Sequence, residues 1–360
     1  MENVLLCATN AGGARNVAPL LKEVKKRGLN PILITSKDMK QFFNFKNLKV
    51  IETTSEDTNA ANYINQFNPK AIICGATRYP SIDRLLIREG KKNKIKTTVA
   101  LDEWYNYRIR FENQKEELEF LPDIIACMDE KAKEEAVSEG IPKQLCYVTG
   151  SPSLSDLTDK AEDFIKNPRP IPDFLVSSQS EPIFTYLSET FTIDYGSKKG
   201  DVGLLGPFLG YTEETVKKDI ITILKDINIP CTVVEKLHPS SKLENKETKI
   251  NENINWIRIK KTDLWSLFWY SNAVIGMRSM ALLESKIFNR PTISYQPGLI
   301  VKDISTAVKF GFVEKLSEKN ELKTWLENQF EKYKKQDKRS INRYPFARKD
   351  ASENVVNLTI

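Results

Sequence analysis

The sequence predicts an α/β protein of two doubly wound parallel-sheet domains. Three observations predict it. Short apolar runs of buried-strand type alternate with amphipathic stretches through both halves of the chain. At 360 residues the chain is longer than one ordinary core accommodates. Residues 166–172 carry three prolines and read as a linker between two such series. The first domain is expected at residues 1–165, with 340–360 packing back on it, and the second at 172–338.

In the first series, strands are expected at 4–8, 31–35, 71–75, 97–101, 123–127 and 145–149, with helices between them. In the second, strands are expected at 182–187, 232–237, 256–259, 273–276 and 292–295. Helices fall at 212–226, 263–269 and 279–288. Residues 188–211 read as a long polar loop whose glycine-bearing end, 203–211, looks mobile, and 242–253 as a charged, exposed stretch. In open parallel sheets ligands sit beyond the carboxyl ends of the strands, so the residues just after each strand are the candidates.

Composition narrows the function classes. Hydrophobic residues make up 40% and charged residues 28%, which describes a folded chain and excludes intrinsic disorder. The net charge of +6 arises from 54 basic and 48 acidic residues, largely interleaved. That favours an anionic ligand or anionic membrane surface and falls short of a nucleic-acid binder. Cys7, Cys74, Cys127, Cys146 and Cys231 show no C-x-x-C spacing and sit in apolar runs, so buried reduced thiols are expected. No apolar run approaches transmembrane length. Met1-Glu2-Asn3 leads straight into a strand rather than a signal peptide. A cytoplasmic location is expected, with peripheral contact at the inner membrane face as a secondary expectation.

Six groups of residues carry candidate chemistry. The loop Asn10, Gly12, Gly13 and Arg15 after the first strand admits close backbone approach to a ligand. Arg78 follows another strand. Asp102 and Glu103 end a buried strand, where desolvation and mutual repulsion raise a carboxyl toward general-base range; pairing with Arg108 or Arg110 is the structural alternative. His238 is the only histidine. It ends a strand, Pro239 stiffens the turn after it, and a histidine so placed can clamp or protonate a phosphate. The turn Gly276-Met277-Arg278-Ser279 precedes a helix, so Ser279 as N-cap or first-turn residue and the free N–H groups suit an anion. Met280, Leu283 and Ile287 should share the buried face of that helix, leaving Glu284 to meet a ribose diol or a surface lysine. Ser188 and Glu189 end the first strand of the second domain and could close on a donor. The aromatic run 264–270 is most simply core.

Two Rossmann-like halves, the His238-Pro239 pair and the G-x-x-S-x-x-L-x-E pattern from Gly276 to Glu284 resemble GT-B-fold glycosyltransferases. Within them the motifs look nearest to bacterial sialyltransferase and polysialyltransferase-like, CDP-glycerol transferase-like and capsule-polysaccharide enzymes. Asp102-Glu103 resembles the family's acidic base motif, with Trp104 where glycine is expected. His238-Pro239 matches its donor-phosphate motif. Ser279 matches half of its hydroxyl motif, because Met280 replaces the second hydroxyl residue.

The resemblance implies a GT-B-like pair of domains facing an interdomain cleft. It further implies a metal-independent glycosyltransferase of surface polysaccharide biosynthesis. Such an enzyme moves a sugar or polyol phosphate from a CMP-, CDP- or UDP-linked donor to a glycan or lipid-linked acceptor, with no further cofactor. Asp102 or Glu103 would act as base and His238 as phosphate clamp. Ser188, Glu189, Pro239, Arg278, Ser279 and Glu284 would hold the donor, and Asn10, Gly12, Gly13, Arg15 and Arg78 the acceptor. Two alternatives stand beside it. One is a nucleotide-sugar 2-epimerase or hydrolase on the same fold, which the single histidine and the lack of clustered central carboxylates count against. The other is a catalytically degenerate protein that binds nucleotide or glycan.

Overall fold

The structure, a computed structural model, describes residues 1–360 except 45, 78–80 and 335–339. Arg78, one of the expected acceptor contacts, lies outside the described residues. The chain divides into two compact units. One comprises Met1–Lys160 and Arg343–Ile360, the other Ala161–Asn342.

In the first unit, the described residues form one parallel sheet. Its strands are β1 (Asn3–Ala8), β2 (Asn30–Ser36), β3 (Lys49–Thr53), β4 (Ala71–Gly75), β5 (Lys96–Ala100), β6 (Ile124–Cys127) and β7 (Cys146–Val148). Their spatial order is β3-β2-β1-β4-β5-β6-β7. Helices α1 (Ala11–Lys26), α2 (Ala60–Phe67), α3 (Ile82–Lys92) and α4 (Glu130–Ser138) follow β1, β3, β4 and β6. Leu5, Ile72 and Ile125 are buried on the central strands, as continuous apolar runs require. On α1, Val17, Leu20, Leu21 and Val24 recur at helical spacing and pack on Leu6, Leu33 and Ile73. The start of α1 meets the end of β4 without side chains between them: a Cβ on Gly75 would lie 2.5 Å from the Gly13 Cα. Gly13 and Gly75 therefore serve backbone packing.

The segment after Arg343 completes this unit. Val355 and Val356, on the C-terminal helix Ala351–Thr359, join the core beneath α1. Thr359 and Thr98 share a buried hydroxyl–hydroxyl bond of 2.8 Å. Phe346 meets Trp104 edge-on, with ring centroids 5.4 Å apart.

Helix α5 (Pro152–Lys166) follows β7. The second unit contains α6 (Phe191–Tyr195), α7 (Glu213–Ile227), α8 (Leu264–Tyr270), α9 (Ala281–Ile287), α10 (Thr306–Lys309) and α11 (Lys319–Tyr333). Its strands are β8 (Ile183–Leu187), β9 (Cys231–Lys236), β10 (Lys246–Lys249), β11 (Ile254–Ile259), β12 (Ala273–Gly276), β13 (Thr292–Tyr295) and β14 (Glu314–Leu316). They are ordered β10-β11-β9-β8-β12-β13-β14, and only β10, on β11, is antiparallel. Leaving out β10, the order repeats that of the first unit from β3 to β6, with the reversal falling at β8/β12 as it does at β1/β4. Such reversals open a crevice at the strand ends. Phe184, Tyr186, Val233 and Ile275 on the strands meet Val216, Ile220, Leu326 and Phe330 on the helices.

Several expectations change. Strand β3 and helix α2 occupy a stretch in which no element was expected. The charged stretch 242–253 holds β10, a mostly exposed edge strand. Residues 188–211 are not a plain loop. They contain α6 and a bridge between Val202 and Pro207, and a Cβ on Gly203 would lie 2.3 Å from the Tyr195 nitrogen. The run on α8 is core, and its Trp265 and Trp269 pack edge-on to Phe164. All five cysteines are buried free thiols.

Candidate functional site

The first unit gathers polar groups beyond β1, β4 and β5. Asn10 caps α1: its Oδ1 accepts from the Gly13 N–H at 2.7 Å, while its Nδ2 donates to the Ala76 carbonyl at 2.6 Å. It thus ties the loop after β1 to the loop after β4, and both ends of its amide are engaged. Gly12 lies against Asp102. A Cβ at position 12 would fall 1.8 Å from the Asp102 Oδ2, so only glycine leaves room for that carboxylate. Asn16, fully buried, donates to the Leu101 carbonyl at 2.6 Å and accepts from the Ser153 N–H at 3.0 Å, which fixes the strand end that carries Asp102.

Arg110 organises the two carboxylates. Its Nη1 donates to Asp102 at 2.9 Å and its Nη2 to Glu103 at 3.1 Å, while its Nε donates to the Asn106 carbonyl at 3.0 Å. The Asp102 side chain is only 8% exposed and that of Glu103 30%. Burial pushes the Asp102 carboxyl up to about 6; the Arg110 charge opposes this and the Glu103 charge adds to it. Pairing and base chemistry are therefore compatible, because Asp102 remains ionised at neutral pH but exchanges a proton near it. Trp104, at the position where the resemblance expects glycine, is fully buried and donates its indole N–H to Asp129 at 2.9 Å. Arg15 is exposed and lies over the Phe42 ring at 5.5 Å.

Asp83 was missed from sequence. It sits in the first turn of α3, is 2% exposed, and accepts from Thr9 and, at 2.9 Å, from Ser81. Burial raises its carboxyl. The signal was a carboxylate one residue inside an apolar helix start.

In the second unit the decisive contact joins β8 to the turn after β12. The Glu189 carboxylate accepts the Arg278 N–H at 2.6 Å, and the backbone N–H groups of Met277 and Ser279 also pull its carboxyl down. Burial pushes Glu189 up to about 7, against the pull of these N–H groups and of the Arg278 charge. The Arg278 guanidinium stands 5.8 Å from the Phe191 and Tyr195 ring centroids. The turn expected to present free N–H groups to a phosphate is thus filled by a carboxylate of its own chain. Ser188, buried, donates its N–H to the Lys236 carbonyl at 2.9 Å.

Ser279 is not the N-cap. Helix α9 starts at Ala281 with Met280 before it, and the Ser279 hydroxyl accepts the Ala281 N–H at 3.2 Å. Met280 is 39% exposed, so it leaves the buried face, which Leu282, Leu283, Ser285 and Ile287 make instead. Glu284 is partly buried in the first turn of α9. His238 and Pro239 are exposed just beyond β9. The His238 Nδ1 meets the Ser240 hydroxyl at 2.6 Å and accepts the Ser240 N–H at 3.3 Å. Among the described residues no three His, Cys, Asp or Glu side chains are grouped to hold a metal ion.

Two Rossmann-like units with polar groups gathered at their strand ends define a GT-B-like fold. No family model matches the sequence, and no curated protein does. Solved structures do match. The UDP-GlcNAc 2-epimerase from Methanocaldococcus jannaschii superposes with a TM-score of 0.67 at 15% identity, covering 99% of both chains. The UDP-GlcNAc 2-epimerase from Neisseria meningitidis, bound to UDP-GlcNAc, gives 0.64 at 15% identity over 99% of this chain and 98% of its own. The glycotransferase of kitacinnamycin gives 0.57 at 8% identity, over 99% and 94%.

These findings correct two expectations. The neighbours just described are mainly UDP-GlcNAc 2-epimerases, which overturns the glycosyltransferase reading and favours the alternative set beside it. The resemblance holds for the GT-B-like fold; its narrower placing near sialyltransferases and CDP-glycerol transferases has no support among them.

Proposed function

We propose that this chain is an enzyme acting on a nucleotide-linked sugar, as a 2-epimerase or a related hydrolase. The observation that most supports this is the near full-length likeness in fold to UDP-GlcNAc 2-epimerases. The site chemistry agrees with it. Inverting a sugar at C2 requires the C2 proton to leave on one face and a proton to return on the other. Asp102, poised near pH 6 by burial and Arg110, suits proton transfer at neutral pH. Arg110 steadies the carboxylate and limits how far its basicity rises. Glu103, more exposed on the same guanidinium, is the second candidate acid.

In this reading the second unit holds the nucleotide. His238 offers an Nε2–H to a phosphate oxygen, with Pro239 stiffening its turn. Arg278 and Ser279 contact the diphosphate, and Glu284 the ribose. Ser188 and Glu189 position the turn that carries Arg278. The acceptor roles assigned to Asn10, Gly12, Gly13 and Arg15 lapse with the transferase. Asn10 and Gly12 instead shape the place where Asp102 stands.

The test is incubation with UDP-GlcNAc in deuterated water, followed by proton NMR. Deuterium at C2 with appearance of the C2 epimer supports an epimerase, and UDP release without epimer supports the hydrolase. Absence of exchange, epimer and release with UDP-, CDP- and CMP-linked sugars refutes the reading. One observation favours a binding-only alternative: Glu189 occupies the amide turn. Thermal stabilisation by nucleotide without turnover would establish that role.

A further inference from the structure

We propose that the second unit carries a lipid-facing patch, formed by residues 202–205 and 300–304, that docks on an anionic membrane surface. The proposal does not depend on the substrate reading above. Among the described residues thirteen large apolar side chains are exposed. Six of them are Val202 (76%), Leu204 (80%), Leu205 (68%), Ile300 (64%), Val301 (38%) and Ile304 (52%). Single exposed apolar residues are ordinary, whereas such a concentration marks a contact surface.

The backbone leading out of the first segment is joined to the start of the second. The Ile300 N–H donates to the Leu209 carbonyl at 2.9 Å, and Gly210 and Gly298 approach so closely that a Cβ on Gly210 would lie 2.0 Å from the Gly298 oxygen. The leucines are also held in place. Leu204 and Leu205 donate their N–H groups to the carbonyls of Ile193 and Asp194 at 3.1 and 2.7 Å, and Gly203 donates to Gly206 at 2.8 Å. A backbone pinned to α6 therefore presents two leucines to solvent, and little chain entropy remains to be lost on docking.

Charge selects the occupant. Lys198, Lys199 and Lys302 are exposed and lie within a few residues of the apolar tips along the chain. The acids of the same segments are engaged locally. Asp201 accepts the N–H groups of Ser197 and Lys198 at 3.0 and 3.2 Å, and Asp303 accepts from Gln296 at 3.1 Å and faces Lys315 at 3.7 Å. Aliphatic tips flanked by lysine suit an anionic bilayer, where the tips enter the headgroup boundary and the ammonium groups meet phosphate. A self-facing dimer would set the lysines against one another. Among the described residues no helix is long and apolar enough to cross a membrane, so the contact is peripheral.

The test is co-sedimentation of the whole chain with phosphatidylcholine vesicles and with vesicles containing about 30% phosphatidylglycerol, an anionic fraction large enough to create a negative surface. Binding is expected only to the anionic vesicles and should weaken with salt. Removing both charges, K198Q/K199Q, should lower partitioning about twenty-fivefold, at about fivefold for each lysine. L204S/L205S should lower it about tenfold or more for each leucine. Circular dichroism confirms that both variants fold, and K332Q on the distant α11 should bind like the parent. Failure to bind anionic vesicles, or binding that both double variants retain, overturns the proposal. So does a dimer in sedimentation velocity that L204S/L205S dissociates without any vesicle binding.

Discussion

Arg110 holds Asp102 at 2.9 Å, and the same guanidinium reaches Glu103 at 3.1 Å. One cation therefore pairs with two neighbouring acids, of which Asp102 is buried where it could not ionise cheaply alone. Arg110→Met should strand the Asp102 charge. We expect a loss of about 3–5 kcal/mol in urea unfolding at neutral pH, typical of a broken buried pair, and a further rise in the Asp102 carboxyl by NMR titration. An unchanged carboxyl would remove Arg110 from the role given to it.

Asp102 also predicts a pH dependence. Its folded carboxyl titrates at about 6, against about 3.9 for a free aspartate. Between these values the native state keeps a proton that the unfolded chain has released. The contribution of Asp102 to stability is thus complete below about pH 4 and is lost as pH rises to about 6. Asp102→Asn should flatten that part of the stability profile. Turnover needs the ionised form, so kcat/KM should rise through about pH 6, and the same variant should abolish C2 exchange.

Glu189 makes a second, separable prediction. Its carboxyl fills the amide turn and titrates at about 7. If nucleotide phosphate competes for those N–H groups, binding should tighten as pH falls through 7 and Glu189 loses its charge. Glu189→Gln should bind UDP more tightly than the parent at pH 8 and show a flatter pH dependence by calorimetry. Weaker binding by the variant at every pH would mean that the carboxylate supports the turn without competing.

Gly12→Ala places a methyl group where Asp102 Oδ2 stands, 1.8 Å away. A flexible carboxylate can rotate, so the cost should be about 1–3 kcal/mol, the usual range for overpacking. Gly75→Ala meets rigid backbone at 2.5 Å and should cost more. Thermal melts of the two variants test the order, and Gly12→Ala should lose activity out of proportion to its stability.

Trp104→Gly would restore the residue that the glycosyltransferase resemblance expects. Trp104 is fully buried, bonded to Asp129 and packed on Phe346. The substitution should cost about 3–5 kcal/mol, as large aromatic truncations do, and should confer no transfer of sugar to an acceptor. Measurable transfer would reopen the reading set aside above.

The parts legible in the sequence were those whose cause is local. The run Val4-Leu5-Leu6-Cys7-Ala8 could only be a buried strand, and the glycines after it marked a tight turn. Strand β3 escaped notice because it is half-buried and carries Lys49 and Glu52. Strand β10 is nearly all lysine, glutamate and threonine, and only its pairing with β11 makes it a strand. At the candidate site the acids Asp102 and Glu103 were legible as a pair. That Gly12 exists to seat one of them was not, because they lie ninety positions apart. Glu189 was read as a donor contact, but its real partner is a backbone turn supplied from far along the chain. Helix α9 begins two residues later than its periodicity suggested, and that shift turns Met280 outward.

The first unit draws its core from two stretches that bracket the whole of the second. Val355, Val356 and Thr359 fill space against α1 and β5, and Phe346 covers Trp104. On the ribosome the earlier stretch therefore emerges with a gap in its interior, and it waits for residues 161–342 to be made before the missing wall arrives. The second unit, continuous in sequence, can close first. The unit whose synthesis begins first is thus the one whose core is completed last.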